Sequence, residues 1–488
     1  MRAWFKRVQN VIQRKSLLII IIWIILLSIL YSTLSILRHN HFESGGFDLG
    51  LYDQGIWQMS RLLPLYNTVK ERFFWGDHLT LTLPLLAPLF WIWNNVRILL
   101  IFQALWISVS ALAVYKLTLL RKLPHITALV VSIVYSLFYG IQYAVFFDFH
   151  PVVLGTGLVV WMCLFLEQKR KRLFWLSVIL LLLTQENMGI ALVGIALIYS
   201  FQSQFRKTAV ILLVLGVVWT AMAGKIIAFL SPTGFQYWPQ IPLNFMTLLL
   251  RFIDNPEKRQ VLFYTFSSFS FLWLLSPWAI LAVLVDLSQY FITGPDFFPM
   301  WTAFKHHRIM LAPFVMLGTL DVLTKYRKRK TVVLVLTILI AIGAFVQQQV
   351  LHLPLNKLSK RVYWQNEQWM EDDKRLISLV PKDASVATQQ NFIPHLSHRK
   401  EIYIVWPRLR DLTPSPCDEK SCWWFDFSGK PDYLVVDTRP DQWLTQILET
   451  NGHWLEAIGN MERAGKIVFD KDVGFAKLYR ISYNTDNK

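Results

Sequence analysis

The sequence predicts an all-α polytopic membrane domain of about eleven transmembrane helices, residues 1–350, followed by a small soluble α/β domain, residues 351–488. Three observations predict this. Apolar runs of about 20 residues recur through the first 350 positions, and each such run can cross a hydrocarbon layer as a helix. The chain is 54% hydrophobic with mean hydropathy +0.38, so these runs are too many to serve one buried core. The charge is also unevenly spread. Residues 351–488 hold 19 Lys+Arg and 19 Asp+Glu, against 49 and 32 in the whole chain, so the formal charge of +17 lies entirely in residues 1–350. There it gathers in short loops: Arg2 to Lys15, Arg121-Lys122, residues 169–172, Arg206-Lys207 and residues 325–330. Short basic loops mark the cytoplasmic side of a membrane protein. That distribution argues against a nucleic-acid partner.

Taken in order, the basic N-terminus is placed inside. Residues 17–37 form a retained first span, since the run is too long for a signal peptide and offers no small-residue cleavage site. Residues 38–95 are a large external loop rich in Trp, Tyr and Phe. Within it, HLTLTLPLLAPLFWIW is apolar but short and broken by proline, so it reads as re-entrant or interfacial. Residues 96–117 return inward, 124–146 go out and 151–166 come back. Residues 173–184 and 188–199 form the next pair, and 208–230 exit. Residues 231–258 are external, with an amphipathic piece at 245–253. Residues 261–275 and 277–292 form a pair hinged at Ser276-Pro277. Residues 310–323 go in to KYRKRK and 331–350 go out, leaving the C-terminal region external.

In that region, residues 364–379 have helical spacing. SVATQ, EIYIV and PDYLVVD are short β-rich runs, and GKIVFDKDVGFAKLYR reads as a closing hairpin. Alternating β and α pieces point to a small α/β sheet. Cys163 lies in an apolar run as packing. Cys417 and Cys422, in PCDEKSC, are placed outside, where a local disulfide is allowed.

The chemistry-bearing residues follow from this topology. It is assigned from Lys and Arg alone, yet it gathers Asp48, Asp77-His78, Asp148 and His150 of FDFHP, Glu186 and residues 305–308 on one external face. Ionisable groups beside hydrocarbon are costly, which marks them as a candidate site. Asp48, between Gly45-Gly46 and Gly50, reads as a general base or metal ligand, or equally as a helix N-cap. Asp53, one turn on, reads as helix surface or as a partner behind the site, and Gln54 and Trp57 could line the same face at i, i+3 spacing. The Asp/His pairs could bind a divalent cation, with Asp48, Asp148 and His150 as ligands, or orient an imidazole for proton transfer. Glu186 calls for a partner. Lys305, His306, His307 and Arg308 stand where the positive-inside pattern does not want cations, which points to a phosphate or pyrophosphate head group. Arg61, Lys70 and Arg72 are weaker candidates for that duty.

FDLGLYDQGIW, the GDH loop followed by LLAPLF, the Gln103-Ala104 pair, FDFHP and a Glu after a Leu run together resemble a bacterial family of predicted membrane proteins, domain of unknown function 2079. VPKDASVATQQNFIPHLSHRKEIYIVWP and PDYLVVDT resemble its C-terminal part, so the likeness covers almost the whole chain. It departs at Asn187, where an acidic residue is expected. The family's layout is similar to that of GT-C glycosyltransferases. That resemblance implies an external-face enzyme using a polyprenyl-phosphate sugar, with the first-loop acid, Asp48, as base or metal ligand. The rival readings are a membrane transporter, disfavoured because mid-span charge is scarce apart from Lys225 and Asp286, and a non-catalytic scaffold presenting the C-terminal region.

Overall fold

The structure is a computed structural model that describes residues 2–405, 427, 429–440 and 453–483. Cys417 and Cys422 lie outside the described residues. Cys163 is buried and free.

The first helix, α1 (Arg2–Asn40), sets the pattern for the bundle. Ile20, Ile24, Leu27, Tyr31 and Leu34 recur every three or four residues and are buried, whereas Leu18, Ile22, Ile25 and Ile29 are more than half exposed. A helix with an apolar outer face needs hydrocarbon around it. The same holds for α10 (Arg206–Leu230) and α15 (Lys330–Val350), while α4 (Arg97–Leu120) and α14 (Leu311–Lys325) run inside.

Among the described residues, five helices are long and apolar enough to cross a membrane, or six if α5 (His125–Ser136) and α6 (Tyr139–Phe147), bent by 42°, count as one span. This corrects the count of about eleven. The apolar runs are helical where expected, but several are short: α7 (Pro151–Glu167), α8 (Lys171–Leu182), α9 (Met188–Ser200) and α13 (Pro277–Phe291) have 17, 12, 13 and 15 residues. At 1.5 Å per residue these reach roughly 18–26 Å, short of a hydrocarbon layer of about 30 Å. The expected run 261–275 is also interrupted. After α12 (Pro256–Ser267) the backbone of Phe269, Ser270 and Phe271 turns left-handed, which ends the helix.

Small residues let the helices approach closely. Gly189 of α9 meets Gly216 of α10 backbone to backbone, as small residues do in membrane bundles. At Gly140 of α6 an added Cβ would overlap the Arg308 carbonyl oxygen. Gly140→Ala is therefore expected to destabilise by about 1–3 kcal/mol. Thermal unfolding in detergent checks this, and an unchanged melting temperature would contradict the close approach.

Residues 38–95 fold into α2 (Leu51–Ser60), a short antiparallel pair of β1 (Tyr66–Asn67) and β2 (Arg72–Phe73), and α3 (Leu89–Ile92). Leu85, Trp91 and Ile92 stand at least two-thirds exposed, as an interfacial segment requires. Beyond α15 the expected strands appear. β3 (Val386–Thr388) pairs in parallel with β4 (Ile402–Ile404) and β5 (Tyr433–Asp437), while β7 (Ala476–Ile481) runs antiparallel to β5 and to β6 (Ile467–Val473). The five-stranded sheet carries α16 (Gln368–Leu379) against it. This sheet shares a core with the 38–95 loop: Phe42 and Val69 are buried together with Met370, Leu376, Ile393 and Ile402. Thr68 seals the junction, donating to the Ile402 carbonyl at 2.7 Å and accepting from its N–H at 2.9 Å.

Candidate functional site

A cavity of about 1560 Å³ lies where the 38–95 loop, the bundle and the C-terminal sheet region meet. Asp48, Asp77, His78, Asp148, His150, Glu186, Lys305, His306 and His307 all line it. Residues spread over 260 positions thus converge on one space.

Asp48 sits in a tight π turn, Gly46–Gly50, before α2. Its side chain caps no helix. Gly46 and Gly50 make room for Ile393, so the C-terminal segment can close over the turn. The carboxylate faces the cavity and lies 3.0 Å from His150 Nε2. The His150 ring stacks on His306, with centroids 3.5 Å apart. Burial opposes ionisation of Asp48, but the His150 hydrogen bond and the charges of His150, Lys305 and Arg38 outweigh it and hold the carboxyl below its usual range.

Asp148 behaves differently. One oxygen accepts from Arg38 at 2.8 Å and the other from the Gly45 N–H at 3.0 Å. Burial raises its carboxyl to about 6, against the pull of Arg38. It anchors the end of α1 and the start of the π turn. Gln103 of α4 clamps the same loop, donating to the Asp148 carbonyl and accepting from the His150 N–H, both at 2.9 Å.

A second cluster faces the first. His78 Nδ1 lies 2.7 Å from Glu186, whose other oxygen accepts from the Leu79 N–H at 3.1 Å. Glu186 therefore has its partner. Asp77 lies 3.4 Å from Lys70 and 3.9 Å from Arg72. Tyr237 stacks on the His78 ring at 5.1 Å. Burial disfavours the charged imidazole, but Glu186 and Asp77 prevail and raise it to about 9. For Asp77, burial is again outweighed, here by Lys70, His78 and Arg72, and the carboxyl is held low.

His78 is thus charged at neutral pH. Because the folded value lies above the unfolded one, its stabilising contribution is full below pH 6.5 and is lost as pH rises through about 9. Thermal stability is expected to fall across that window, and Glu186→Gln is expected to shrink the fall. Parallel pH profiles for the two proteins would contradict the pairing.

Several expectations need correction. Gln54 and Trp57 do not line the cavity. Gln54 is buried, donating to Thr68 Oγ1 at 2.8 Å, and Trp57 stacks on His398. Asp53 is not on a helix surface. It is fully buried and bonded to Ser397 and His398. Arg308 is buried outside the cavity, donating to the Met300 and Thr302 carbonyls and lying 4.7 Å over Tyr290. Arg61 is exposed and Arg72 is turned to Lys70 and Asp77.

The ligand set expected for a cation changes too. Asp48, His150 and His306, rather than Asp148, bring one donor atom each within 4.8 Å of one another. One carboxylate and two imidazoles suit a divalent transition metal or zinc. Buried Nδ1 atoms of His150 and His306 have no hydrogen-bond partner among the described residues, which fits such a role.

Sequence reasoning missed Arg38, Gln103 and Tyr237 as parts of the site. Arg38 carried a usable signal: a cation at the outer end of the first span breaks the positive-inside pattern.

One flank of the cavity is apolar. Ile190 and Val193 of α9, Val217 and Ala221 of α10 and Val285 of α13 line it. Val217 is 56% exposed, and Ala221 beside it is exposed as well.

The profile of a family described as Predicted membrane protein (DUF2079) matches residues 38–445. In fold the chain is similar to a crystal structure of ArnT from Cupriavidus metallidurans bound to undecaprenyl phosphate. The TM-score is 0.50 at 11% identity, covering 96% of this chain and 99% of that chain. The apo structure of the same ArnT gives a TM-score of 0.50 at 11% identity, with coverage of 96% and 98%. No curated protein matches the chain in sequence.

Proposed function

The chain belongs to the DUF2079 family of membrane proteins, and from that premise we propose that it is a membrane glycosyltransferase taking its sugar from a polyprenyl-phosphate donor. The observation that carries this is one large cavity that is charged on one side and apolar on the other, where Val217 of α10 is exposed. A lipid-linked donor has that division of character. Its chain lies against α9, α10 and α13. Its phosphate meets Lys305, a cavity cation with no ion pair among the described residues, with His306 and His307 beside it. The positive-inside pattern puts the N-terminus in the cytoplasm and the cavity, with the C-terminal sheet, on the external face.

The acceptor hydroxyl attacks the sugar carbon. A new carbon–oxygen bond forms there, the bond to the phosphate oxygen breaks, and the electron pair leaves with the lipid phosphate. Asp48 receives the hydroxyl proton, and Arg38, Asp148 and Gln103 hold Asp48 and His150 in position. Charged His78, held by Glu186, faces the same space and favours the anionic leaving group. A divalent cation on Asp48, His150 and His306 would add charge neutralisation at the phosphate.

The first test is binding. Lys305→Met is expected to weaken retention of undecaprenyl phosphate by the purified protein roughly tenfold or more, the usual scale for a charged hydrogen bond. Undiminished retention would remove the phosphate from this position.

A further inference from the structure

A second, smaller cavity of about 390 Å³ lies at the opposite end of the bundle. Helix α7 leaves the large cavity at Pro151 and runs 17 residues before reaching it, a distance of roughly 25 Å. Phe165, Phe174, Trp175 and Phe205 form its walls, with Lys169 and Lys171 at the rim. Lys169 takes a left-handed backbone, φ 60°, to turn the chain from α7 into α8.

The charge at this end is unbalanced. Lys169, Arg170, Lys171, Arg172, Arg206 and Lys207 are exposed, and none forms an ion pair among the described residues. The neighbouring carboxylate, Glu167, is engaged by Arg121 at 2.6 Å and by the Tyr199 hydroxyl at 2.8 Å. Exposed Leu176 and Ile179 on α8, and Val210 and Val214 on α10, continue the apolar surface from the same two helices.

We propose that this cavity holds an anionic glycerophospholipid, its phosphate at Lys169 and Lys171 and an acyl chain against the aromatic wall. Cations at the membrane surface attract anionic head groups. Phe165, Phe174, Trp175 and Phe205 pack in the bundle and also line the cavity, an apolar wall that suits an acyl chain and that a free phosphate would not use. The inference does not depend on the transferase reading.

Native mass spectrometry of the full-length protein tests it, using mixed phosphatidylglycerol and phosphatidylcholine. The expected result is preferential retention of phosphatidylglycerol. The double variant Lys169→Gln, Lys171→Gln should lower that preference at least about tenfold, given the attraction per cation near a membrane surface. Both lysines are exposed, so the melting temperature in phosphatidylcholine should not move. Arg61→Gln, at an exposed cation that lines neither cavity, should leave the preference intact. Equal retention of both lipids, an unchanged preference in the double variant, loss of preference in Arg61→Gln, or displacement by millimolar inorganic phosphate would each overturn the proposal.

Discussion

Asp48→Asn is expected to lower sugar transfer by roughly 10²–10⁴-fold, the range general-base catalysis contributes. The substitution keeps size and shape, so the π turn and its contact with Ile393 should persist. What it removes is the negative charge that faces His150 at 3.0 Å and opens on the cavity. Insertion into the membrane and retention of undecaprenyl phosphate are expected to survive, because Lys305 and the apolar flank are untouched. Transfer at the wild-type rate would refute the role given to Asp48.

Arg121→Met is expected to cost about 3–5 kcal/mol of stability, the cost of leaving a buried charge without its partner. Arg121 joins the ends of three helices. Its Nε and Nη2 reach Glu167 of α7 at 3.0 and 2.6 Å, and its Nη1 reaches Asp321 of α14 at 2.7 Å. Without the guanidinium, two carboxylates face each other with no cation between them. Adding Glu167→Gln and Asp321→Asn to the Arg121→Met variant should therefore recover most of the loss. Denaturation of the three proteins in detergent checks this. A single variant as stable as the wild type, or a triple variant no better than the single one, would contradict it.

Much of the architecture was legible in the sequence because it rests on local signals. Apolar runs, proline breaks and basic loops placed helices such as α8, α9, α10 and α15 to within a few residues, though α1 begins 15 residues before the expected run, and β-branched runs placed β3, β4 and β5. The span count failed because short apolar runs such as 173–184 and 188–199 each read as a crossing, although 12 residues at about 1.5 Å each fall well short of a hydrocarbon layer. The interruption after α12 had no signal, since nothing in SFSFLW announces three residues in left-handed backbone.

The candidate site divides the same way. Lys and Arg topology alone brought Asp48, His78, His150, Glu186 and His306 to one face, and they line one cavity. What it could not assign was which groups are consumed by tertiary partners. Arg308 seemed the best phosphate ligand, but residues 300–302 fold back and engage its Nε and Nη2, and the side chain is buried outside the cavity. Gln54 and Trp57 share a helix face with cavity-side residues, yet a segment more than 340 positions away covers that face. Asp148 and His306 exchange places in the cation set for the same reason: Arg38 and Gly45 engage the first, and stacking on His150 delivers the second.

The most direct measurement is a structure of the protein with undecaprenyl phosphate bound in a lipid environment. The expected density has its phosphate beside Lys305 and His306, within reach of Asp48, and its chain leaving between α9 and α10 past Val217. A head group seated away from the acids and imidazoles, or a chain entering through another face of the bundle, would contradict the reading of this cavity as the place of transfer.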